Sequence, residues 1–382
     1  MSRTRLFYVG VILLVVFELA RVYVIMPMPG SQRMQSIDFA YAMHSWRWPL
    51  RTLFGLLIAA GLTSAWRGRM WRKVVVPVSL AMVSLAAYGS NVTMSADRIF
   101  IAPDSVVMRP VEQNVVAPAR LVVGIEIDGE ARAYPVQFIG YHHQVRDVVA
   151  GKPVLVSFCT VCRTGRVFSP LVDGNVESFR LVGMDHFNAM FEDRTTGTWW
   201  RQANGEAIVG PLKGKQLDEI PSRQVSLYQW LRLHPGSLIM QPDSALASRY
   251  SQSFDYETGR SRSSLTGSDT ASWKEKSWVV GITVENESKA YDWNRLKRER
   301  VVNDSLGGRP IVLAIAADTV SFFAFVRPDA TPFTVRNDSL IAGPNAWSFT
   351  GRGASAPPLE PLSASQEFWH SWRTFQPETR RY

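Results

Sequence analysis

The stretch VVGIEIDGEARAY at residues 122–134 returns as VVGITVENESKAY at 279–291, and the same spacing of 157 residues lays VRDVVAGKPVLVSF (145–158) on VNDSLGGRPIVLAI (302–315). A chain that writes one plan twice is expected to fold as two related halves. The plan is legible: an alternating apolar strand, an Asp-Gly turn and a returning strand make a hairpin. A short polar segment follows, and then a continuous apolar run suited to a strand buried on both faces. The likeness extends to LDEIPSRQVSLYQWLRLHPGS (217–237) and LEPLSASQEFWHSWRTFQPET (359–379), each a proline-marked turn before a Trp-containing helix. The expected fold class is therefore α+β, mainly β, an internally duplicated strand-rich domain with halves at 95–248 and 249–382. The polar, turn-rich segment 253–278 reads as a linker or exposed loop.

Residues 1–94 have a different texture. Apolar runs of spanning length occupy about 6–26, 48–66 and 74–90, and together they predict three transmembrane helices. Arg3 and Arg5 precede the first run, and Arg67, Arg69, Arg72 and Lys73 fill the tight loop between the second and third. The positive-inside rule puts both basic clusters in the cytoplasm, so the chain from about residue 95 is expected outside, in the periplasm of a bacterial inner membrane. Membrane lipid is thus an expected partner, a periplasmic protein another. The net charge of +9 is scattered rather than clustered on a domain, which argues against nucleic acid. Intramembrane charge is costly, and Glu18 and Arg21 are expected to pair on one helix face while Arg51 snorkels toward the outer edge.

The duplication acts as an internal control. Residues that the shared fold needs recur in both copies, and residues serving one copy's site need not. Gly124, Tyr134, Asp147, Gly151 and Pro153 recur as Gly281, Tyr291, Asp304, Gly308 and Pro310. Cys159 and Cys162, the only cysteines, are answered by Ala316 and Thr319, and His142 and His143 by Glu299 and Arg300. The sulfurs are dispensable to the fold, which places the candidate site in the first half.

A Cys-x-x-Cys pair has three readings here. As a structural disulfide it closes a very small loop and constrains the unfolded chain little. As a catalytic dithiol it has the expected apolar strand before Cys159, and Arg163 to stabilise a thiolate, but the continuation RTGRVFSPLVDG reads as turn, strand, turn rather than a helix. As a metal site it has soft and imidazole donors nearby: Cys159, Cys162, His142 and His186, with His143, Met184 and Met190 in support. Such a set favours copper, with zinc as the alternative. Of the adjacent imidazoles, strand geometry would turn only one inward. The leading expectation is a membrane-anchored copper-binding protein for metal handling or metal-dependent oxidation. The alternatives are a thiol–disulfide oxidoreductase without a cofactor, and a non-catalytic module presenting aromatic residues such as TWW (198–200) to a partner.

Five motifs in order carry a resemblance: GEARAYP (129–135), YHHQVRD (141–147), FCTVC (158–162), NAMFEDRTTGTWWRQ (188–202) and GPLKG (210–214). They resemble the bacterial family of domain of unknown function 3179, which carries a Tyr-Cys-Pro-x-Cys motif. The resemblance implies that His142 is the family histidine and adds Asn188 and Asp193 to the candidate site. Phe158 stands where the family has Tyr, and Thr160 where it has Pro. The family name implies no particular reaction.

Overall fold

The computed structural model of the chain describes residues 2–382 and is strand-rich, with three long apolar helices at its N-terminal end. It divides into two compact units that do not follow chain order: Met1–Ile101 with Phe179–Arg201 and Ala207–Lys215, and Ala102–Ser178 with Gln202–Glu206 and Gln216–Tyr382.

In the first unit the helices Arg3–Ile25, Arg47–Trp66 and Arg72–Tyr88 are long and apolar enough to cross a membrane, the third continuing to Thr93. Small residues let the first two approach closely: a Cβ on Gly61 would lie 2.3 Å from the Phe7 backbone nitrogen. Arg51 does not snorkel. Its Nε and Nη2 donate to Glu18 at 2.6 and 3.0 Å, and Arg21 Nη2 reaches the same carboxylate at 3.2 Å. Asn91 Oδ1 accepts from both guanidiniums at 2.7 Å. A carboxylate with no exposed surface has to be neutralised where it stands, and this outweighs the pull of water on Arg51. The same unit holds a four-stranded antiparallel sheet built from Phe179–Asp185, Asn188–Asp193, Trp199–Arg201 and Ala207–Val209.

The second unit carries both copies of the repeat, element for element. Strands Leu121–Ile127 and Glu130–Pro135, helix Val136–His142 and strands Gln144–Val149, Lys152–Cys159 and Thr164–Phe168 make up the first. Trp278–Val284, Glu287–Asp292, Trp293–Glu299, Val301–Leu306, Arg309–Ile315 and Phe322–Val326 make up the second. In each, the opening hairpin gains an antiparallel strand from the later strand–helix stretch, Arg223–Ser226 or Ala364–Phe368, and a parallel one beyond it. The turns are two-residue hairpins with both φ positive, Asp128–Gly129 and Ala150–Gly151, as the right-handed strand twist demands. Tyr134 donates to Asp147 at 2.7 Å and Tyr291 to Asp304 at 2.9 Å, so the recurring Tyr–Asp pair ties hairpin to third strand in both copies. One apolar cluster runs through both halves, from Val122 and Val156 to Val312 and Phe323.

Candidate functional site

Cys159 ends the strand Lys152–Cys159 and pairs with Thr164 across the hairpin, so residues 160–163 form the connecting loop and Cys162 lies within it. The chain turns back through Arg163 at φ +59° into the strand Thr164–Phe168. The turn and strand expected after Cys162 are present. Cys159 starts no helix, so no helix dipole acts on it. Both sulfurs are fully buried.

What buries them comes from outside the first half. The Phe368 backbone N–H donates to the Cys162 carbonyl at 2.9 Å, His370 Nε2 lies 3.2 Å from the Val161 carbonyl, and Thr164 and Ser371 share a hydroxyl contact at 3.3 Å. The second half's strand–helix junction thus caps the cysteine loop. The first half returns the arrangement: Ser226, at its own junction, donates from N to Ser321 Oγ at 2.9 Å and from Oγ to Asp318 at 2.6 Å, on the equivalent hairpin loop of the second half. The surroundings of the cysteine loop therefore come from both halves, because the duplicated halves exchange caps.

The segment between the halves is a largely exposed loop, and part of it also walls the cysteine loop. Tyr256 Oη donates to the Thr160 carbonyl at 3.1 Å, and Arg163, 1 % exposed, donates to the Tyr256 carbonyl at 3.1 Å and to Gln366 Oε1 at 2.8 Å. The Arg163 guanidinium lies 3.6 Å from the ring centre of Trp278, which compensates part of its lost hydration. Glu257 is held by Arg120 at 2.6 Å and by the Leu121 N–H at 2.6 Å, which pins this wall to the first half. Burial pulls the Lys276 ammonium down, and the neighbouring Asp269 and Cys162 oppose that.

His142 and His143 are both buried, 0 % and 2 % exposed. The expectation that only one points inward fails because neither lies on a strand: His142 is the last residue of a helix, and His143 is its cap at φ +62°. His142 Nε2 is 2.8 Å from Tyr250 Oη, and His143 Nδ1 is 3.2 Å from the Tyr141 carbonyl. Arg300 repeats the cap at φ +67°, so the backbone bend is architectural and only the imidazole is specific to this copy.

The remaining candidates belong to the other unit. Asp193 caps its own turn, accepting from the Thr196 N–H at 2.6 Å and from Trp200 Nε1 at 2.9 Å. His186 Nδ1 lies 2.6 Å from Asp185 Oδ1 and its Nε2 3.3 Å from Gln35. Asn188 and Met190 are buried on one strand, and Met184 is half-buried on its neighbour. Thr198, Trp199 and Trp200 present no aromatic surface: all three are at most 1 % exposed, because both indoles are turned inward to carboxylates, Trp199 to Glu192 at 2.8 Å. Among the described residues no group of three or more His, Cys, Asp or Glu side chains is placed to hold a metal ion.

Residues 102–379 match the model of the family described as Protein of unknown function (DUF3179). The chain belongs to this family. Comparison with curated proteins and with solved structures found no match. The matched region takes in both halves of the repeat, so the duplicated arrangement with exchanged caps lies within the family domain. Tyr250, Tyr256, Lys276, Trp278, Gln366 and His370 were missed from the sequence. For His370 a signal existed, since the repeat answers it with Tyr228, which makes it an imidazole specific to one copy.

Burial holds His143 and His370 near pKa 4 in the family domain, against 6.5 when solvated. Between these values the unfolded chain binds more protons than the folded one, so stability is fully present above pH 6.5 and falls as pH drops toward 4. The thermal midpoint of the full chain in detergent is expected to fall between pH 7 and 4.5, and more gently in a His143→Asn, His370→Gln variant. Equal slopes for the two proteins would contradict this.

Proposed function

We propose that the chain is a membrane-anchored thiol–disulfide redox protein in which Cys159 and Cys162 interconvert between dithiol and disulfide. The observation that carries this reading is the pair itself: one sulfur at the end of a strand and the other within the four-residue hairpin loop that follows, present in one copy of a duplicated fold and replaced by Ala316 and Thr319 in the other. The copper or zinc alternative needs a third donor beside the sulfurs, and among the described residues no group of three or more His, Cys, Asp or Glu side chains is placed to hold a metal ion, which favours the dithiol reading. In the oxidising direction both S–H bonds are lost and one S–S bond forms. The two electrons and two protons pass to a disulfide of the partner, which leaves as two thiols. The basic residues flanking the spans favour a cytoplasmic N-terminus and an extracytoplasmic redox loop, in a compartment where thiol exchange is sustained.

The test equilibrates the detergent-solubilised full chain in thiol–disulfide buffers of graded potential, quenches with a mass-tagged alkylating reagent after unfolding, and counts tags. We expect both tags to disappear together in one two-electron step, tenfold in the equilibrium constant for about 30 mV. Two tags at every potential would end the reading. So would copper or zinc bound in stoichiometric amount to anaerobically purified wild type and lost in a Cys159→Ser, Cys162→Ser variant.

A further inference from the structure

A cleft of about 610 Å³ opens over the cysteine loop, and its floor includes Thr160, the residue that follows Cys159, together with Gly140 and Tyr256. Its lining also includes Arg249, just before the segment between the halves, and Arg260 and Arg262 within that segment. The charges there do not cancel. Arg260 is engaged by Asp255 at 3.3 Å, and Glu257 is consumed by Arg120 and the Leu121 N–H. Arg262 makes a hydrogen bond to the Ser268 carbonyl at 3.1 Å and Arg249 is exposed, and no carboxylate answers either of them among the described residues. A cleft of this volume suits a small organic ligand, and two guanidiniums without counter-ions suit carboxylates.

We infer that this cleft is the access route to the buried sulfurs and that it selects small anionic sulfur compounds, carboxylate-bearing thiols or disulfides. The inference rests on the dithiol reading for the chemistry of the ligand, but not for the steering. The wall is held over the loop by Gln137 Nε2 to the Ser251 carbonyl at 2.8 Å and by Arg120 to the Gln252 and Ser253 carbonyls at 2.8 and 2.9 Å, besides the contacts of Glu257 and Arg163. Beneath it lies the Tyr256 hydroxyl on the Thr160 carbonyl, so opening at Tyr256 uncovers the peptide that links the sulfurs.

Two methanethiosulfonate reagents of similar size and opposite charge test this on the reduced full chain, one bearing a sulfonate and one a trimethylammonium group. Each transfers its alkylthio group to a cysteine thiolate and releases methanesulfinate, so the chemistry is common and only the charge differs. Relative to free cysteine, the anionic reagent is expected to react about tenfold faster than the cationic one, the preference shrinking with added salt. An Arg249→Glu, Arg262→Glu variant should abolish or invert it. A ratio at or below that of free cysteine, a ratio unchanged by the charge reversal, or no reaction with either reagent would overturn the inference. Because labelling needs only a reactive thiol, steering can hold where the pair fails to form a disulfide, and the two proposals fail separately.

Discussion

Replacing Glu18 with Gln is expected to destabilise the helical unit by about 3–5 kcal/mol, the cost of removing one partner from a buried ion pair. Glu18 has no exposed surface and stands among Arg21, Arg51 and Asn91, which join all three apolar helices. Removing its charge leaves two guanidiniums facing each other across the Asn91 carbonyl oxygen, each 2.7 Å from it. Removing an arginine does the opposite. Arg51→Gln leaves one carboxylate with one guanidinium, a neutral set, and should cost clearly less than Glu18→Gln. Both variants are measured by denaturant titration of the full chain in mixed micelles, following helix content. Equal losses, or a larger loss from Arg51→Gln, would show that the charge balance is not what holds the helices.

The second large effect is expected in the repeat. Trp372 is 4 % exposed and its indole lies so close to Gly281 that a Cβ there would come within 2.1 Å of the ring. Its Nε1 donates to Thr379 Oγ1 at 2.8 Å. The first half repeats every part, Trp230 over Gly124 with a 2.4 Å approach and Nε1 donating to Ser237 at 2.8 Å. Trp372→Ala should cost about 3–5 kcal/mol for the lost burial and the cavity. Gly281→Ala should cost about 1–3 kcal/mol through overpacking. The double variant should cost less than the sum, because taking away the ring removes the clash, and a coupling beyond about 0.5 kcal/mol is the signature. Additive losses would mean that ring and glycine do not meet in solution.

The recurrence of Gly124 and Gly281 was visible in the sequence, but its reason was not. Recurrence marks that glycine as a residue the shared fold needs, and only the structure supplies the indole lying on it. The hairpins were legible for a simpler reason. Asp128–Gly129 and Gly307–Gly308 announce their turns through residues that tolerate positive φ, a property of the dipeptide and not of its surroundings. His143 shows the limit of local reading: a strand was expected at 142–143, and a helix cap stands there. The apolar positions of a single-turn helix and of a short strand overlap, and periodicity over so few residues does not separate them.

The sequence by itself determined the duplication, the three apolar spans and the confinement of both sulfurs to one copy, because each is a pattern of residue types along the chain. Tertiary structure decided what surrounds those sulfurs: Phe368 and His370 from the other copy, Tyr256 and Trp278 from the segment between them, and Arg163 enclosed by both. It also decided that Arg51 turns to Glu18 rather than to water. In each case the partner lies far away in sequence, and the burial that selects it arises only after the elements have packed.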